Sequence, residues 1–181
     1  QSLGPGIKVG VPLSDAFQGL PGSGFSENKR YTAGFMLDVR LPAGLGIELD
    51  FLRRSLDYYA FGGGGFAGVQ RTLRDSGGAW EFPLVGKYRL GAGLVKPYFG
   101  AGLAFLHLSG LRLVEQELRK RSNTGLVLEA GVEIRAAVLR VSPEIRYTHW
   151  GSENFQEPAT GLTSSLRTRR NQAEFLIGVT F

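Results

Sequence analysis

Apolar residues recur at every second position in eight separate stretches of this chain, and a period of two commits each stretch to an extended strand with two chemically different faces. In "GIKVGVPL", Ile7, Val9, Val11 and Leu13 share one face and Lys8 and Gly10 the other. In "YTAGFMLDVRL" the odd positions from Tyr31 to Leu41 are mostly apolar, while Thr32, Asp38 and Arg40 are polar. The same alternation runs through "LGIELDFLRR", "WEFPLVGKYRL", "PYFGAGLAFL", the stretches around Leu126–Arg135 and Leu139–Tyr147, and "NQAEFLIGVTF" at the end. Glycine at 27 residues and aromatics at 11% add to the bias, since glycine weakens helix interiors and aromatics favour strands.

Connections alternate as well. Short turns near Pro42 to Gly44, Gly91 to Val95 and Ala136 to Val138 follow the second, fourth and sixth strands. Segments rich in Gly, Ser, Asn and charge, near 14–29, 57–78, 109–123 and 150–169, follow the odd-numbered ones and read as exposed, mobile loops. The long loops therefore share one side. Strands of about 9 to 11 residues, an even strand number and this asymmetry are the pattern of a barrel that crosses a bilayer.

Charge on the polar face decides which way that face points. It carries eight acids, Asp38, Glu48, Asp50, Glu81, Glu129, Glu133, Glu144 and Glu174, and eight bases, Lys8, Arg40, Arg54, Lys87, Arg89, Arg135, Arg140 and Arg146. An enclosed lumen needs such a balance, because buried charges must be paired, whereas a solvated face does not. The expected architecture is an all-β, eight-stranded antiparallel up-and-down transmembrane β-barrel, one domain over residues 1–181, with a lumenal charge network and with Tyr31, Trp80, Tyr88, Phe99, Tyr147 and Phe181 in aromatic girdles. Eight strands leave an interior just wide enough for side chains, so the network is expected to be a plug.

The remaining 13 bases and 8 acids carry the whole net charge of +5, and all but Lys96 lie in or beside the long loops. Such a fringe suits lipid phosphates, and nucleic acid is not expected as a partner. Arg119, Lys120 and Arg121, with Arg167, Arg169 and Arg170, are the candidate phosphate-binding clusters. The absence of cysteine excludes disulfides and thiol chemistry. No apolar run reaches the roughly 18 to 20 residues of a membrane-spanning helix. A start at Gln1 fits a mature protein whose signal peptide has been cleaved.

The final "EFLIGVTF", with Phe175, Ile177 and Val179 alternating toward the terminal aromatic Phe181, resembles the carboxy-terminal signal read by the bacterial barrel-assembly machinery. With "KPYFGAGLAF", the chain resembles small barrels of the OmpA and OmpX type over nearly its whole length. That resemblance implies outer-membrane location in a Gram-negative-type bacterium and no common activity. A further likeness, to barrels of acidobacteria, rests on "GVPLSDAF", "WEFPL" and "SPEIRYTHWG".

His107 and Ser109 resemble the His-x-Ser pair of an outer-membrane lipid A 3-O-deacylase, for which Glu115 or Glu117 would supply the acid, but Gly110 stands where an Asn usually follows. A lone pair of this spacing is weak evidence, and the expectation is that the chain is not an enzyme. His107 and His149 without an acidic cluster fall short of a zinc ligand set, and Gly62 to Gly65 lack the Lys-Ser or Lys-Thr of a phosphate-binding loop, so neither metal nor cofactor is expected. The expected function is a structural or interaction scaffold whose loops contact lipopolysaccharide, other cells or further copies of the chain. The alternatives are a narrow pore for small solutes, a lipid A hydrolase and a soluble lipocalin-like barrel. Phe181→Ser is expected to lower the amount of chain recovered in the outer membrane on expression in a Gram-negative host; unchanged levels by quantitative immunoblot would count against the terminal signal.

Overall fold

The computed structural model describes residues 2–14, 17–19, 24–27, 31–62, 71–91, 93–109, 122–152 and 166–181. Within them the strands are β1 Ser2–Pro12, β2 Phe17–Gly19, β3 Gly24–Glu27, β4 Thr32–Arg40, β5 Leu45–Gly62, β6 Arg71–Arg89, β7 Val95–Ser109, β8 Ser122–Ala136, β9 Leu139–Trp150, β10 Leu166–Thr168 and β11 Asn171–Thr180. Eight of these, β1, β4, β5, β6, β7, β8, β9 and β11, form a closed antiparallel up-and-down barrel. Each pairs with the next, and β1 pairs with both β4 and β11, so the sheet returns on itself and leaves no free edge in the cylinder.

The tight connections collect at one end. Pro42–Gly44 make a single 3-10 turn with Ala43 at φ 61° and Gly44 at φ 80°, Gly91 lies at φ 79° after β6, and Ala137 at φ 52° turns β8 into β9. Left-handed backbone at these positions lets the chain reverse within a few residues. At the opposite end strand pairing extends beyond the expected loop boundaries. Residues 57–78 read as a loop, yet β5 and β6 stay in register from Leu56↔Gly77 to Gly62↔Arg71. Tyr58, Tyr59 and Phe61 are strand-favouring aromatics, and a paired neighbour satisfies their backbone groups without any need for alternation. β3 adds to the extended part of β5, and β10 pairs with β2.

Alternation sorts the two faces as in a membrane barrel. Ile7, Val9, Phe35, Ile47, Phe51, Leu84, Phe99, Leu103, Leu128 and Ile145 are exposed on the outer wall, while Lys8, Asp38, Glu48, Asp50, Arg54, Lys87, Glu129, Glu144 and Arg146 are buried within. This inverts the water-soluble arrangement and wraps the barrel in an apolar surface suited to lipid. Tyr88 and Phe99, 5.7 Å apart between ring centroids, mark the short-turn end of that surface.

Inward-facing glycines make room for the lumenal side chains. A Cβ on Gly131 would stand 2.7 Å from the Cζ and hydroxyl of Tyr98, and one on Gly100 would lie 2.9 Å from the Cγ of Glu129. Both tightly limit what the lumen can hold. Gly131→Val is expected to destabilise the barrel by about 1–3 kcal/mol through overpacking against Tyr98. Urea unfolding of the detergent-folded chain, followed by loss of the heat-modifiable gel band, reads that change.

Candidate functional site

Inward-facing charges from seven of the eight barrel strands, all but β7, meet in three tiers. In the middle tier Lys8 Nζ lies 2.5 Å from Glu48, 2.9 Å from Glu144 and 3.0 Å from Asp50. Lys87 Nζ lies 2.6 Å from Glu48, 3.0 Å from Glu129 and 3.4 Å from Glu144. Arg146 Nη2 contacts Asp50 at 2.6 Å, Glu129 at 2.9 Å, Glu144 at 3.0 Å and Glu48 at 3.5 Å. The Tyr98 hydroxyl donates to Glu144 at 2.5 Å, and its ring lies 4.4 Å below the Lys87 ammonium. Because β5 and β9 stand opposite one another in the strand order, the Arg146–Asp50 bond spans the full bore.

Toward the short turns, Arg89 Nη2 holds both oxygens of Asp38 at 2.7 Å and its Nε holds Glu133 at 3.0 Å. Arg40 bridges Asp38 at 2.8 Å and Glu133 at 3.3 Å, the second contact again crossing between facing strands, β4 and β8. Toward the long-loop end, Arg54 donates to Gln172 and to the Ser14 carbonyl and lies 3.8 Å from Glu174, which accepts from Thr32 at 2.9 Å. Glu81 is buried on β6 in register with Leu52. Leu52, Val85, Ala104, Val127, Trp150 and Leu176 fill the remaining space and are at most 1% exposed.

Arg135, expected inside, is exposed at the short-turn mouth. Its register partner across β8 and β9 is Arg140, half-buried, and two like charges placed opposite each other favour water over an enclosed site. Glu48, Glu129 and Glu144 bring their carboxylate oxygens within 4.8 Å of one another, a spacing that sequence alone did not suggest. Lys8, Lys87 and Arg146 form ion pairs with these same three carboxylates.

The expected His107–Ser109 pair does not form, and the two histidines lie on different strands. His107 points outward from β7 with Nδ1 3.1 Å from Ser122 Oγ, while Ser109 donates to the Gly78 carbonyl at 3.2 Å. His149 points outward from β9 with Nδ1 2.7 Å from Asn171 Oδ1. Glu115 and Glu117 lie outside the described residues, as do Arg119, Lys120 and Arg121. Arg167 pairs through its backbone with Gln18, Arg169 is exposed, and Arg170 donates to the carbonyls of Trp150 and Gly151, which ties it to the end of β9. Phe175 and Phe181 are exposed on the outer wall of the closing strand and its end, with Ile177 and Val179 half-buried between them.

No family model matches the sequence, and no curated protein is a detectable relative of it. Solved structures do match in shape. The outer membrane protein OprG from Pseudomonas aeruginosa superposes with a TM-score of 0.65 over 98% of this chain and 92% of that one, at 13% identity. The fold is that of a small outer-membrane β-barrel. Neisserial surface protein A matches with a TM-score of 0.56 at 15% identity over 98% of this chain and 94% of that one. The N-terminal β-barrel domain of Pseudomonas aeruginosa OprF matches with 0.54 at 12% identity over 100% of this chain and 98% of that one.

Arg146→Met leaves the carboxylates of the middle tier one cation short and is expected to cost about 3–5 kcal/mol, the usual penalty for breaking one side of a buried pair. Arg135→Met, at the wet mouth, is expected to stay within about 0.5 kcal/mol of the parent. Parallel urea titrations in one detergent compare the two directly.

Proposed function

We propose that this protein is a non-enzymatic outer-membrane scaffold: a charge-plugged barrel, exported with a cleaved signal peptide and inserted by the barrel-assembly machinery, that presents basic extracellular loops. The loops contact the phosphates of lipopolysaccharide and, through the same surface, other cells or further copies of the chain. The observation that supports this reading is the closed lumen. At mid-height every barrel strand contributes an inward side chain that is at most 4% exposed, from Lys8 on β1 through Met36, Asp50, Val85, Ala104, Val127 and Arg146 to Leu176 on β11. A solute path would leave water-accessible surface on those side chains. With the bore closed and the wall lipid-facing, the surfaces left to meet an aqueous partner are the rims, and the basic excess of the sequence falls at the long-loop rim.

Lipopolysaccharide binding by the folded chain, measured by pull-down in zwitterionic nanodiscs, is expected to fall about tenfold when Arg119, Lys120, Arg121, Arg167 and Arg169 are changed to Gln, the size of effect expected from losing charge-assisted phosphate contacts. Planar bilayers containing the parent protein are expected to show no unitary conductance steps. Discrete steps would replace this reading with that of a narrow pore, and unchanged lipopolysaccharide binding would remove the loops as its contact.

A further inference from the structure

The outer wall carries a polar row that neither the lumen nor the loops explain. Arg53, Trp80, His107 and Ser122 are successive cross-strand partners on β5, β6, β7 and β8, and all four are exposed on the lipid side of the barrel toward its long-loop end. The Arg53 guanidinium sits 5.6 Å from the centre of the Trp80 ring. Among the described residues it has no ion-pair partner. His107 is engaged at Nδ1 by Ser122, which leaves its other nitrogen facing out.

Two residues toward the barrel middle the row becomes aromatic on β5, β6 and β7, with Thr124 on β8. Phe82 pairs with Phe105, and Phe51 packs edge-on against Phe82 with centroids 5.8 Å apart. Between the polar and aromatic rows, at the β7–β8 side, opens a cleft of about 490 Å³ lined by Phe82, Phe105, His107, Ser122 and Thr124. Its floor is fixed. Asn123 donates to the Ser152 carbonyl at 2.5 Å and accepts from Thr124 N and Ser152 Oγ, and Gly151 N donates to Thr124 O, which locks the start of β8 to the end of β9.

We propose that this wall is a binding site for one phosphorylated, multiply acylated lipid of the outer leaflet. Arg53 and His107, on either side of Trp80, meet the phosphorylated headgroup, Ser122 fixes the His107 ring, and an acyl chain lies in the cleft against Phe82 and Phe105. The charge complementarity suits such a molecule: a guanidinium with no ion-pair partner among the described residues and an imidazole at the upper edge of an apolar wall meet an anion on one side and hydrocarbon on the other. A free phosphate would leave the aromatic row unused, and a neutral lipid would leave Arg53 without a counter-ion. This site rests on the reading that the barrel lies in the outer membrane with its long loops outward, but it uses none of the loop residues named there.

The test uses the folded full chain in detergent, incubated with bisphosphorylated lipid A or with the same lipid after removal of both phosphates. Native mass spectrometry counts the lipid retained. The parent is expected to keep one phosphorylated lipid and to retain the dephosphorylated form about tenfold less, and the double variant Arg53→Gln, His107→Gln is expected to lose about tenfold in retention of the phosphorylated form. The loop variant with Arg119, Lys120, Arg121, Arg167 and Arg169 changed to Gln is expected to keep it. Both substituted wall positions are exposed, and a preserved heat-modifiable band shows that the variants fold. Equal retention of the two lipids by the parent, equal retention by parent and wall variant, or a loss confined to the loop variant would each overturn the wall site. Failure of the loop reading is seen separately in the lipopolysaccharide pull-down.

Discussion

The contact between Arg146 and Asp50 crosses the barrel from β9 to β5, and the architecture depends on what it does for register. Backbone hydrogen bonds tie each strand only to its neighbours. They would be equally satisfied if a strand slid by one residue, yet such a slip turns every side chain of that strand to the opposite face. Here a slip of β9 would send Glu144 and Arg146 into hydrocarbon and leave Lys8, Lys87, Asp50 and Glu129 with fewer partners in the lumen. A buried pair adds little net stability once desolvation is counted, but leaving one member unpaired is costly. The network therefore acts chiefly by penalising wrong registers, and the short-turn tier of Arg40, Arg89, Asp38 and Glu133 does the same for β4, β6 and β8.

Filling the lumen this way turns the inside of the barrel into a packed core. The inward glycines set the available volume: Gly131 admits the Tyr98 ring, whose hydroxyl completes the shell of Glu144, and Gly100 admits Glu129. Large side chains opposite small ones pack the bore as a core is packed, with charges in place of much of the hydrocarbon. The result is a barrel filled by its own side chains.

Most of this was legible in the sequence because the two faces differ so strongly in chemistry. A strand such as Leu45–Arg54 can be assigned its inward residues from alternation alone, and the equal number of acids and bases on the polar face points to enclosure. Alternation gives a residue's face but neither its height nor its partner across the bore. Hence Arg135 read as lumenal although it sits beyond the last turn of enclosed strand, facing another arginine. The extension of β5 and β6 was hidden because Gly62, Gly77 and Gly78 and the scattered charges between them show no period of two, while the pairing there needs only a neighbouring backbone. The row of Arg53, Trp80, His107 and Ser122 was hidden for a related reason. Its members come from four strands, and only the observed register brings them side by side.

That row also fixes where the hydrocarbon ends. On an outer wall a cation costs about 2–4 kcal/mol at the bilayer midplane and about 0–1 kcal/mol near the interface, so its height is strongly selected by physics. On three successive strands the wall changes character over a single step of two residues, from Phe51 to Arg53, from Phe82 to Trp80 and from Phe105 to His107. On the next two strands, β9 and β11, the Tyr147 hydroxyl and the His149 ring converge on Asn171, above the exposed Ile145 and Phe175. A polar boundary with aromatic residues at its lower edge thus recurs on separate sectors of the wall, and among the described residues the sector at β5–β8 combines a guanidinium without an ion-pair partner with a cleft. The bilayer explains the boundary as a whole, and it is the added cleft and guanidinium of that sector that the proposed lipid, with a charge and a chain, would match.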